Sequence, residues 1–183
     1  MTTREAHHDQ RMWLSSQDPS WLADRILNLI PDGSPESAVI DLHRTLSDHH
    51  ADHSHPLDVD RCRALITRAI VPCTKALHAD EYRISIAIME ILDAISATGA
   101  KGDWSAVREL SACTIDAIDK AYEYVDEGWT FEEPYRQLCD LHLRACLAEP
   151  PDPVALKSWL MKKDRDSVSG NFSNAMKTYR SVL

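Results

Sequence analysis

Residues 83–97 read RISIAIMEILDAISA, and whether they form a strand or a helix decides the fold. The β-branched run Ile84, Ile86 and Ile88 suits a strand. The apolar pattern does not stop there. It continues through Ile91, Leu92 and Ile95 at helical spacing, for longer than an ordinary strand runs. The segment is therefore read as a helix from about 80 to 98. Little polar surface is left on it, which places it centrally in the domain.

The same period extends outward in both directions. A first helix is expected from about 19 to 30, capped by Asp18, with Trp21, Leu22, Ile26, Leu29 and Ile30 as its apolar face. A second follows Ser34-Pro35 and presents Val39, Leu42, His43 and Leu46 before it fades into a histidine-rich stretch. A third spans about 58 to 78 on Cys62, Leu65, Ile66, Ala69, Ile70, Cys73 and Leu77, with Pro72 kinking or splitting it. Beyond the central helix, a fifth is expected from about 103 to 126, capped by Asp103. Its stripe is Trp104, Val107, Leu110, Thr114, Ala117, Ala121 and Tyr124. A sixth covers about 133 to 148, a seventh about 153 to 162 behind Asp152, and an eighth about 171 to 182. Pro19, Pro35, Pro134 and Pro153 each suit a first turn, where a missing N–H costs nothing.

Eight helices with short connections fold as antiparallel hairpins. The fold class expected is all-α: a small α-solenoid of the HEAT or tetratricopeptide kind, or an irregular bundle. Residues 1–17 read as a polar tail and 18–183 as one helical-repeat domain. No exact internal repeat is visible, and the tetratricopeptide and ankyrin signatures are missing.

The chain of 183 residues carries a net charge of -9, which disfavours nucleic acid as the main partner. The charge is uneven, with -6 over 101–149 and +3 over 150–183. Five cysteines, an odd number, with no secretory signal before them, point to reduced thiols and a cytoplasmic setting. No apolar run is long enough to span a membrane.

Three segments resemble a known group. WLADRILNLI at 21–30 is similar to the opening of helical-repeat regions in bacterial proteins of unknown function, some of which accompany SWIM-type zinc fingers. YRQLCDLHLRACLAEPPDPVALKSWLMKK at 135–163 is the better match, and FSNAMKTYRSVL at 172–183 looks like the next helix of that pattern. The resemblance implies an α-helical repeat fold and no catalytic residue. The C-x-C and C-x-H ligands of a SWIM finger are missing here, so only the helical part is matched. The final SVL lacks a polar capping repeat. That suggests a partner, homo-oligomer formation through the apolar last helix, or a shortened relative.

The text most suggestive of chemistry is SDHHADHSHP at 47–56, which holds four of the nine histidines. If the second helix persists to 53, His49 and His53 stand at i and i+4. Two imidazoles so spaced, with Asp48, could share Zn²⁺ or Ni²⁺. The competing reading is a solvated helix end, where the dipole favours protonated histidine. Cys139, His142 and Cys146 also share a helix face, but their spacing is equally that of a core. Acids crowd residues 116–133 around Trp129 and Phe131. Acids at a helix C-terminus oppose its dipole. Asp119, Glu123, Asp126, Glu127, Trp129, Phe131 and Glu132 are therefore the expected contact set for a protein partner. The two aromatics alternatively plug a groove between hairpins.

No glycine-rich phosphate loop and no nucleophile elbow is present. The function expected is a non-enzymatic protein-interaction domain without a cofactor. The alternatives are a metal-binding protein using Asp48, His49 and His53, and a helical domain that holds an apolar ligand for regulation.

Overall fold

The structure is a computed structural model. It describes residues 15–51, 56–72, 78–125 and 131–166, together with Phe172 and Tyr179. Among the described residues there are seven helices and no strand. They are α1 (Pro19–Leu29), α2 (Pro35–Ala51), α3 (Val59–Ile70), α4 (His78–Ala100), α5 (Trp104–Ala121), α6 (Glu132–Ala148) and α7 (Pro153–Asp166). An eighth helix at 171–182 falls almost wholly outside the described residues. Of its positions only Phe172 and Tyr179 are described, and both are helical and buried. The expected tail lies outside them too, apart from residues 15–17.

The chain divides into two units, Met1–Ser34 and Pro35–Leu183. In the first, the Leu22 N–H donates to the Asp18 carbonyl at 3.0 Å, the bond that defines an N-cap. Ile26 and Leu29 of α1 are exposed.

The second unit holds the core. RISIAIMEILDAISA lies within a helix, as its period requires, and Ile84, Ala87, Ile88, Ile91, Leu92 and Ile95 are buried. Ile86 alone among its isoleucines turns outward. The helices that touch describe two rows. α2, α4 and α6 pack side by side in one, α3 and α5 in the other, and α2–α3, α3–α4, α4–α5 and α5–α6 contacts join them. Alternate helices in alternate rows is the arrangement of stacked helical hairpins. α7 reaches back to α5 through Lys163, whose ammonium contacts Asp116 and donates to Asp119 at 2.7 Å.

Caps set the helix starts. Asp58 accepts from the Arg61 N–H at 2.9 Å and Asp103 from the Ala106 N–H at 3.0 Å. Asp152 accepts from the N–H groups of Val154 and Ala155. Two ends differ from expectation. α3 stops at Ile70, and Val71 is extended before Pro72, so of the two outcomes expected at the proline the helix is broken there rather than kinked, and residues 73–77 lie outside the described residues. α5 stops at Ala121, five residues early. α5 is also buried on nearly all sides, Ser111 and Thr114 included. Their hydroxyls donate to the carbonyls one turn back, Val107 at 2.6 Å and Leu110 at 2.8 Å, so they enter the core without an unmet donor. No helix among the described residues is long and apolar enough to cross a membrane.

Candidate functional site

The histidine stretch divides. α2 runs to Ala51, so Asp48, His49 and His50 are helical, while Asp52, His53 and His55 lie outside the described residues. Asp48 is exposed. His49 is not solvated: its side chain is 13% exposed and its Nε2 lies 2.9 Å from Asp103 Oδ2, the cap of α5. Burial works against the Asp103 carboxylate. The Ala106 N–H and the His49 ring outweigh that effect and hold its pKa below the usual range. His49 thus ties the end of α2 to the start of α5. Among the described residues no group of three histidine, cysteine or carboxylate side chains is arranged to hold a metal.

The acidic and aromatic segment also divides. Phe131 is 1% exposed, heads α6 and donates its N–H to the Tyr122 hydroxyl at 3.0 Å. Asp119 accepts from Lys163 and, at 3.2 Å, from the Tyr135 hydroxyl. Burial acts to discharge Lys163, but the bonds to Asp116 and Asp119 prevail and raise its pKa. Phe131 and Asp119 are therefore interior side chains. Glu123 and Glu132 are exposed, and Asp126, Glu127 and Trp129 lie outside the described residues.

Cys139, His142 and Cys146 are buried together. The Tyr179 hydroxyl donates to the Cys139 carbonyl at 3.0 Å, and His142 Nδ1 lies 2.8 Å from the same hydroxyl. With the hydroxyl proton committed to the carbonyl, Nδ1 carries a hydrogen and donates to the tyrosine oxygen. The imidazole stacks on Trp159 at 4.4 Å. Burial, aided by the charge of Arg108, pushes the His142 pKa down to about 4. Burial likewise raises the Cys139 thiol to about 12 and the Cys146 thiol to about 11, so neither is a thiolate at neutral pH. The cluster is a packed, hydrogen-bonded core.

What the sequence reading passed over is a groove between α2 and α4. It has a volume of about 540 Å³. Val39 and Ile40 of α2 face Ile86 and Ala87 of α4 and make its apolar lining. One end is closed by Arg83, which donates to Glu36 through Nε at 2.7 Å and also contacts it through a terminal nitrogen. At the other end His43 Nε2, itself buried, stands 3.9 Å from Glu90 Oε2, beyond hydrogen-bond reach, and among the described residues no group bonds that nitrogen. The two cross-groove pairs are seven residues apart on each helix, 36 to 43 and 83 to 90, so α2 and α4 run parallel here. Seven residues at the helical rise make the groove about 10 Å long. Tyr82, Ile86 and Met89 are exposed at i, i+4 and i+7, so an apolar stripe of α4 borders it.

The period of the sequence did contain this feature. His43 lay on the expected face of α2 and Ile86 on that of α4. What it could not show is that these side chains meet across two helices without covering each other.

No family model, curated protein or solved structure matches this chain.

Proposed function

We propose that the chain is a non-enzymatic, cytoplasmic helical-repeat domain that works by binding another protein, and that the α2–α4 groove is where it does so. The resemblance to bacterial helical-repeat regions belongs to the same reading. One observation carries it. The apolar side chains of α2–α6 are mostly spent on the core, yet Ile86 and Met89 remain 45% and 44% exposed beside a groove that is lined by Val39, Ile40 and Ala87. Contiguous apolar surface left open on a domain with a full core marks a binding site. Both walls offer apolar positions at helical spacing between polar ends, which suits a segment that inserts side chains at matching intervals.

The test places a photo-crosslinking residue at Met89 and asks what it captures in the native host. A defined adduct that disappears when Ile86→Asp is added, with the helical signal and melting temperature unchanged, supports the reading. An adduct indifferent to Ile86→Asp contradicts it. Ile86 is exposed, so its replacement leaves the core intact.

A further inference from the structure

Which partner the groove would take follows from charge, and the step rests on the binding reading above. α2 and α4 together carry seven acidic and two basic side chains, -5 of the chain's total of -9. Within the groove the charges are unequal in availability. Arg83 is held by Glu36 and also lies 3.6 Å from Asp80, so its positive charge is answered at home. Among the described residues Glu90 has only the ring of His43, at 3.9 Å. The charged residues that line the groove are Glu36, Glu90 and Arg83, so a second copy's groove would set carboxylate against carboxylate and bring Glu90 no unengaged cation.

We infer that the groove takes an amphipathic helix of a partner protein that carries a lysine or arginine one or two turns from its apolar anchors. The apolar side chains would fill the space over Val39, Ile40 and Ala87. Its cation would pair with the Glu90 carboxylate, which is 56% exposed at one end of the groove. Parallel walls with features seven residues apart match a helix laid along them, whose own anchors recur at three, four and seven residues.

The experiment uses full-length protein and three labelled synthetic peptides, read by fluorescence anisotropy at low and high salt. The first places leucines at helical spacing with lysine flanks. The second replaces each lysine by glutamate. The third scrambles the first. The lysine peptide is expected to bind, more weakly at high salt, and the other two to bind at least tenfold less. Glu90→Lys should weaken the lysine peptide by about fivefold, whereas Glu133→Lys, which changes net charge equally at an exposed position of α6, should not. Equal losses from the two variants, or equal binding of the glutamate peptide, would overturn the inference but leave the groove standing if Ile86→Asp still abolishes binding. Binding untouched by Ile86→Asp would remove the groove reading itself. Self-association of the protein alone, broken by Ile86→Asp, would make the occupant a second copy and overturn the inference.

Discussion

His142 shows how a polar residue joins a core. Its ring is 3% exposed, bonded to Tyr179 and stacked on Trp159, and its pKa falls to about 4 because the charged form has lost its water. Above the unfolded value of about 6.5 both states are neutral and the full stability is present. As pH falls from there toward 4, the unfolded chain binds a proton that the folded chain refuses, so stability declines. Below 4 this residue adds no further loss. The decline across that window is about 3 kcal/mol. Urea unfolding at several pH values should show it, and His142→Gln should flatten that part of the profile. An unchanged slope would mean that His142 is not the group responsible. The sequence made His142 legible as a core histidine, because its spacing from Cys139 and Cys146 is a core spacing. Tyr179, its partner, lies 37 residues away, and nothing local announces the bond.

Among elements, α5 holds the rows together, and Lys163 ties α7 to it. The side chain of Lys163 is 6% exposed and those of Asp119 and Asp116 are 11% and 43% exposed. Lys163→Ala would leave a mostly buried carboxylate unpaired beside a second one. We expect a loss of about 2 kcal/mol, below the range for fully buried pairs because Asp116 is partly solvated. Asp119→Asn in the same background should restore part of that stability. If the double variant is no better than the single one, the lysine is acting through packing alone. Helices were readable here because caps and apolar period agree: Asp103 and Asp152, both expected as caps, each accept from the N–H groups that a cap serves. Their ends were less so. Val71 is extended because it precedes proline, and the apolar period that continues through Cys73 and Leu77 had carried the expected helix past that break. The acids after Asp119 also look misplaced when α5 is extended to 126. With α5 ending at Ala121, Glu123 lies beyond the helix, and Glu132 and Glu133 open α6, where the dipole favours them.

At the scale of the molecule, two rows of helices and an open groove on the α2–α4 side carry the functional account. The all-α class and stacked hairpins were legible from period and loop length. The groove was not, since it depends on which helices stand side by side. α2 and α4 are neighbours only because α3 crosses to the other row. The binding reading and its charge preference meet in one measurement. Isoleucine, valine and methionine methyl groups are labelled, and the lysine-flanked amphipathic peptide is titrated while their NMR signals are followed. The account predicts saturable shifts at Val39, Ile40, Ile86 and Met89, with the interior methyls of Ile91 and Ile95 little changed. Shifts centred on the exposed apolar residues of α7, Val154 and Met161, with the groove silent, would contradict it.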